Sequence, residues 1–472
     1  MTPPSAFMPA RHAVPPLRLL LALFAAYAVW TIPSLLARWG AVPAGLWWLA
    51  LWGGLAAVAM PIARGRWRGR PLGIALIALA VLLRAPALLL MDRHVPAGDA
   101  LFYVGLARDL LAGRGLVFVD PLSGVVFRAL YPPVYPLLLA GVGAVFGLGQ
   151  VVLAVTNLAC DGAAAWLIVR IGGRLGSRRG GLAAAWLYLI WPTFLFATPF
   201  AQKEPLVTLL VLAITHRLLR LADGPARPRD GMLLGLLGGL LALTQPGLAT
   251  LPALLGLALL PALGLRPLLR VAAFALPALL LVMAPWWIRN ALVLHQFVPL
   301  TSTAGLGLWI GNNPHATGNW MAMPPDILPL SELAQSARAA AVASAWIAAH
   351  PVAALLLNAA KLVRAFGIEH YTLVRLDMVT PDLPPMLPGQ FLPMLQGALI
   401  AVLTAAAALF GRLRHAPHGD RLVLLTAALF AQIMLFDIWF EFGERHRYCV
   451  MPFLFLVIGL SLACHGQDGR RR

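Results

Sequence analysis

DRHVPAGDALFYVGLARDLLAGRGLVFVDPLSGVVFRALYPPVYP, residues 92–136, is the first long polar interruption in a chain that is otherwise almost continuously apolar. It follows an apolar segment, about 71–91, long enough to cross a bilayer, so its polar groups belong just outside the hydrocarbon. Within it, Gly98-Asp99 precedes a helix-like run, ALFYVGLARDLLA at 100–112, that stops at Gly113. Leu101, Val104, Leu106, Leu110 and Leu111 give this run an apolar side, and Arg108 and Asp109 are polar. That is the pattern of a helix lying flat on a membrane surface. Asp99 is then expected to cap the helix at the mouth of any cavity between the spans. A carboxylate there can act as general base toward an incoming hydroxyl. The helix N-terminus would stabilise its ionised form and lower its basicity somewhat. The plainer alternative is that Asp99 only caps, since Asp is favoured at helix starts everywhere.

Composition agrees with a membrane setting. The chain has 472 residues, 60% hydrophobic and 11% charged, where soluble domains carry about 25% charged residues. So much apolar sequence exceeds one buried core, and the expected class is an all-α polytopic membrane protein. The net charge of +18 is spread as short arginine clusters between apolar segments, which argues against a nucleic-acid partner. Cys160, Cys449 and Cys464 are an odd number without metal-like spacing, so neither a disulfide framework nor a zinc site is expected. The apolar run from Leu17 contains Pro33 and is followed by another long segment; it reads as a retained helix rather than a cleaved signal.

Twelve spans are predicted, at about 17–38, 43–62, 71–91, 150–170, 181–199, 205–221, 231–245, 247–264, 271–288, 391–410, 421–440 and 448–464, the seventh being short. With both termini on the cytoplasmic side, most of the 36 Lys and Arg residues fall in short inner segments, as the positive-inside rule requires. The predicted organisation is an N-terminal tail and extra hairpin over 1–70, a catalytic membrane domain over 71–464, and a basic tail over 465–472. Two large outer loops, 92–149 and 289–390, face two small ones, 200–204 and 441–447. This topology requires that 134–148, after Pro132-Pro133, and 351–366, with Lys361 and Arg364, lie in the outer interface; a re-entrant or tilted span is the alternative for each.

Polar residues gather at the outer ends of the spans. Lys203 and Glu204 form a short outer turn, where they either pair with each other or hold a phosphate oxygen and an acceptor. Arg289 ends PWWIRN, 285–290, and Arg445, His446 and Arg447 stand in GERHR, 443–447. Outer basic residues break the charge rule that the inner loops obey, and a bound anion would explain them. The arginine fork suits phosphate. Snorkelling to the headgroups is the plainer reading of each arginine singly. Gln245, in LTQP, reaches the same level. Arg84 and Asp161 fall within spans, where ionisable groups are functional candidates; the plainer reading is a hydrogen bond to a neighbouring helix for Asp161 and outward snorkelling for Arg84, about two turns from the outer end.

GDALFYVGLARDLLAGRGL (98–116) followed by YPPVYPLLLAGVGAVFG (131–147) resembles the first outer loop of the GT-C-type integral-membrane glycosyltransferases, especially bacterial relatives of the protein O-mannosyltransferases and lipid A aminoarabinose transferases. The resemblance continues in QKEPLVTLL, LALTQP, PWWIRN, 297–318 and GERHRYCVMP, and so covers about 71–464. It implies a polyprenyl-phosphate sugar donor, an acceptor that is a glycan, lipid or protein, and inverting transfer at the periplasmic face of a bacterial inner membrane. Asp99 would be the base, with Glu204 as supporting carboxylate. Lys203, Arg289, Arg445 and Arg447 would hold the donor phosphate, and Tyr103, Tyr131, Gln245 and His446 the substrates. The pattern departs from the family at Ala100, where a second acid is common, and at Gln245, where arginine is common. A divalent cation beside Asp99 and Glu204 is left open. A lipid transporter or flippase is the second function class, and a non-catalytic scaffold the third. Transporters commonly show related halves and midplane binding groups, whereas here the polar groups sit at one end.

Overall fold

The computed structural model describes residues 8–39, 42–66, 70–84, 98–121, 123–369, 371 and 386–468. Residues 92–97, most of the Pro-rich 378–390 and the last four residues of the basic tail lie outside the described residues. The described chain is helical apart from a two-residue antiparallel pair, Phe118–Val119 with Val126–Phe127.

Six helices are long and apolar enough to cross a membrane: Ala10–Ser34, Gln150–Arg174, Glu204–Ala222, Leu265–Leu294, Leu392–His415 and Gly419–Trp439. Glu332–Ala349 and Pro351–Gly367 meet at 108° and make a seventh if they are one broken span. Each of the six matches a predicted span. The other predicted spans hold shorter or interrupted helices. One breaks at Trp191-Pro192, and another falls into Pro246–Leu248, Leu251–Ala258 and Leu260–Leu263. Pro192–Ala197 and the three pieces of the second span each have Pro in the first turn, where a missing N–H costs nothing but the preceding helix cannot continue.

Helix Met451–Asp468 is the centre of the core. Met451, Phe453, Leu454, Phe455, Leu456, Val457 and Leu460 are all fully buried. A helix apolar on every side must be enclosed by others, here by Arg178–Ile190, Met386–Leu409 and Gly419–Leu435. Its backbone meets that of Arg178–Ile190 at Gly459 and Gly180; a Cβ on Gly180 would fall 2.8 Å from the Gly459 carbonyl oxygen. Small residues let membrane helices approach this closely. Gly459→Val is therefore expected to lower stability in detergent by about 1–3 kcal/mol through overpacking. Gly162→Ala, where nothing lies within 4 Å, should leave the melting temperature unchanged or raise it slightly. Equal melting of the two variants would contradict this packing.

The N-terminal hairpin shares that core. Phe24 stacks on Phe366 at 4.8 Å, the Gln396 amide donates to Thr31 at 3.1 Å, and the Trp186 indole donates to the Leu55 carbonyl at 2.8 Å.

Segments predicted to lie inside meet at one end. Asp223 accepts from Arg174 at 2.8 Å and from Arg421 at 2.6 Å. Asp230 takes Arg217 at 3.2 Å and Arg220. Arg11, Arg18, Arg412 and Arg414 line one cavity.

Candidate active site

Helix Asp99–Leu111 begins after Gly98, whose φ of 55° occupies the left-handed region that glycine adopts readily. Gly98 is the cap and Asp99 the first helical residue, so the carboxylate is not spent on capping as expected from the sequence. The buried face is Ala100, Tyr103, Val104, Leu106 and Ala107, while Leu101 and Leu111 remain about half-exposed. The face predicted from the leucines is thus rotated. The reason is the tyrosine cluster: Tyr103 packs on Tyr131 at 4.8 Å and edge-on to Tyr135 at 4.9 Å, joining this helix to Val134–Phe146. That second helix is 13 residues long, short for a span.

The second of the two long segments predicted to be outer loops fixes the first. Buried Glu332 accepts from the backbone N–H groups of Arg128 and Ala129, both at 2.8 Å, and from Ser302. This holds the strand leading into Tyr131. The Tyr131 hydroxyl donates to Asp99 Oδ1 at 3.2 Å.

Asp99 Oδ2 forms an ion pair with Arg445 Nη1, and Arg445 Nη2 pairs with Glu441 at 3.3 Å. The guanidinium also lies 6.0 Å from the Tyr371 ring centre. Burial works against the Arg445 charge, but the carboxylates of Asp99 and Glu441 outweigh it and hold its pKa well above the ordinary value. Arg445 is therefore a permanent cation, already committed to carboxylates.

Lys203 and Glu204 arrive on the turn before helix Glu204–Ala222. Burial pulls the Lys203 ammonium below the ordinary lysine value, and the charges of Glu204, Asp99 and Glu441 oppose that while Arg445 adds to it. The turn is held from below. The Asn157 amide donates to the carbonyls of Thr198 at 2.9 Å and Phe200 at 2.6 Å. Buried Arg84 donates to the Thr198 hydroxyl at 3.1 Å and lies 3.6 Å from Asp161, which accepts from Tyr188 at 2.6 Å. Asp161 thus takes the plainer of its readings, a bond between helices, whereas Arg84 is buried and turned toward Asp161 rather than snorkelling outward.

Two cavities flank Glu204. One is lined by Asp99, Tyr103, Gln202, Glu204 and Tyr371 among others. The other is lined by Glu204, Gln245, Asp437, Arg445 and His446 among others. His446 is neutral there: burial and then the nearby Arg445 and Lys203 push its pKa down to about 3. The structure therefore brings together Asp99, Tyr103, Tyr131, Lys203, Glu204, Gln245, Arg445 and His446. Asp437, Glu441 and Tyr371 join them without having been predicted. Asp437 had been absorbed into the span at 421–440, and its spacing of four from Glu441, at the outer end of that span, was the available signal.

Arg447 and Arg289 are placed differently. Arg447 is fully buried, pairs with Glu369 at 3.1 Å, and donates to the carbonyls of Ala365 and of Ile368, the latter at 2.9 Å. Burial raises the Glu369 pKa to about 7 despite Arg447. Arg289 donates to the carbonyls of Arg128 at 2.6 Å and Leu116 at 3.1 Å. Both arginines tie backbone segments of the two long predicted outer loops and line neither cavity. Arg447→Ala leaves Glu369 buried without its cation and is expected to cost about 3–5 kcal/mol. It should be read as a fall in melting temperature in detergent; unchanged melting would contradict the assignment.

No site for a divalent cation is formed among the described residues. The Asp99 oxygens are engaged by Tyr131 and Arg445. Among the described residues no group of three or more His, Cys, Asp or Glu side chains is arranged to hold a metal ion.

The fold is similar to that of integral-membrane oligosaccharyltransferases of known structure, and part of the sequence matches a mannosyltransferase family. Residues 131–288 match the family of dolichyl-phosphate-mannose-protein mannosyltransferases. Among solved structures, the oligosaccharyltransferase of Archaeoglobus fulgidus, crystallised with Zn and sulfate, superposes with a TM-score of 0.52 at 14% identity over 84% of this chain and 50% of that one. The chain thus spans about half the length of that enzyme. The same enzyme tethered to an acceptor peptide gives 0.50 at 13% identity, over 84% of this chain and 50% of that one. ArnT from Cupriavidus metallidurans, bound to undecaprenyl phosphate, is a weaker match, with a TM-score of 0.39 at 14% identity over 85% of this chain and 79% of that one. No curated protein matches the sequence.

Proposed function

We propose that this chain transfers a sugar from a polyprenyl-phosphate donor to an acceptor at the face where its outer loops gather, with inversion and with Asp99 as general base. The observation that carries this reading is the convergence of Asp99, Arg445 and Lys203 around Glu204, between two cavities. The family matched over 131–288 is described by a lipid-phosphate sugar donor, which supports the same chemistry.

The acceptor hydroxyl gives its proton to Asp99, and its oxygen bonds to the anomeric carbon. The bond from that carbon to the phosphate oxygen breaks, and its electron pair leaves on polyprenyl phosphate. Attack opposite the leaving group inverts the centre. The phosphate gains charge in a half-buried site, where positioned cations act strongly. Lys203 and Arg445 supply them. Arg445 has a double use: an arriving phosphate competes with Asp99 for the guanidinium and so releases the carboxylate to act as base. Glu204, between the cavities, orients the acceptor. Tyr103 and Tyr131 wall the Asp99 side.

In this reading the twelve predicted segments cross a bacterial inner membrane, the termini are cytoplasmic, and the extra hairpin is an N-terminal support to the catalytic membrane domain. The acceptor is a glycan, lipid or protein of the cell envelope. Deleting the gene and profiling envelope glycans is expected to show one product lacking a single sugar. A strain with intact glycans but impaired lipid translocation would favour a flippase instead.

A further inference from the structure

Two cations and four carboxylates gather at the site. Arg445 is committed to Asp99 and Glu441, and Lys203 lies beside Glu204 and Asp99. That leaves Asp437, which lines the cavity shared by Glu204, Gln245, Arg445 and His446. Its bonded partner among the described residues is an amide rather than a cation: Gln432 Nε2 donates to Asp437 Oδ1 at 3.4 Å. Gln432 is itself locked, donating to the Gly247 carbonyl at 2.7 Å and accepting from Thr250 at 2.8 Å. Both contacts come from the turn that carries Gln245, so Gln245 and Asp437 belong to one wall. Gly247 makes room for the acid, because a Cβ there would fall 2.7 Å from Asp437 Oδ1.

The segment bearing Asp437 is also pinned from behind. Buried Lys361 donates to the carbonyls of Ile438 at 2.8 Å and Phe440 at 3.2 Å, and Asn312 donates to that of Trp439. Asp437 is thus a carboxylate held rigidly at a cavity wall, with acceptor capacity that the protein leaves unused.

We infer that Asp437, oriented by Gln432, recognises hydroxyl groups of the donor sugar, and that this subsite takes a neutral sugar and turns away one bearing a carboxylate. The inference rests on the glycosyl-transfer reading and extends it to the sugar. A carboxylate accepts two hydroxyl protons at once, as a vicinal diol presents them. Glu204 in the same lining adds a second acceptor, and neutral His446 adds no cation. The one cation of the lining, Arg445, is committed to Asp99 and Glu441, so a uronate would find no free cation to pair with.

The test uses the full-length protein in nanodiscs. Binding of undecaprenyl phosphate without sugar is compared with binding of undecaprenyl-phosphate glucose, mannose, galactose and glucuronate. Wild type is expected to bind at least one of the neutral hexose lipids more tightly than the sugarless lipid, and the glucuronate lipid less tightly than that hexose lipid. Asp437→Asn should lose roughly tenfold in affinity for the hexose lipid, keep its affinity for the sugarless lipid, and narrow the gap to glucuronate. Gly247→Ala, which crowds the carboxylate, should act in the same direction. An unchanged hexose preference in Asp437→Asn overturns the inference, as does an equal loss for the sugarless lipid. Failure of wild type to bind undecaprenyl phosphate at all would overturn the transferase reading itself, and the inference with it.

Discussion

Asp99→Asn is expected to slow sugar transfer by about 10²–10⁴-fold, the usual contribution of a positioned general base, while donor binding stays intact. The amide keeps the shape of the side chain and can still accept from Tyr131, which now donates to Asp99 Oδ1 at 3.2 Å. It cannot take the acceptor proton. It also releases Arg445 from its ion pair, leaving Glu441 as that cation's carboxylate partner. Affinity for polyprenyl phosphate should therefore hold or rise as the rate falls. Single-turnover rates beside equilibrium lipid binding separate the two effects. A variant that loses both together would make Asp99 a structural residue.

Arg445→Ala is expected to cost about 10²–10³-fold in rate, in the range seen when one positioned charge-stabilising donor is removed, with weaker donor binding. The guanidinium spans Asp99 and Glu441 at once. Arg445→Lys should not restore the rate, because one ammonium cannot bridge two carboxylates and a phosphate as a planar fork can. The contrast with Arg447 is the useful control. Two residues further on, Arg447 is buried against Glu369 and backbone carbonyls, so its loss should appear in melting rather than in rate. If Arg445→Ala retains the wild-type rate and donor affinity, the phosphate is held elsewhere.

These two arginines show where sequence reasoning ran out. GERHR announces a basic cluster at the outer end of a span, but a helical turn sends Arg445 toward Asp99 and Arg447 into the core. Nothing in the residue types distinguishes them. Asp99, Lys203 and Glu204 were legible because each interrupts an apolar run at a predicted membrane boundary, where a charge is costly unless used. Asp437 was not, because it lies within the last turns of an apolar segment and its role depends on Gln432 and Gly247, distant in sequence. The fold class followed from apolar length, which is a property of composition. The helix breaks at Pro192 and Pro246 show why segment counting is coarser: an apolar stretch of membrane length need not be one helix. The rotated face of helix Asp99–Leu111 has a similar origin. Leucines marked its apolar residues, but the aromatic contacts of Tyr103 decided which side is buried.

The central claim is that this protein moves a sugar off a polyprenyl phosphate, with Asp99 taking the acceptor proton. Purified wild type and Asp99→Asn, incubated with radiolabelled polyprenyl-phosphate sugars and a membrane extract, test it most directly. The expected result is label passing from lipid to acceptor with wild type and not with the variant. Undiminished transfer by Asp99→Asn would contradict the role of Asp99, and lipid flipping by wild type without any transfer would contradict the reaction.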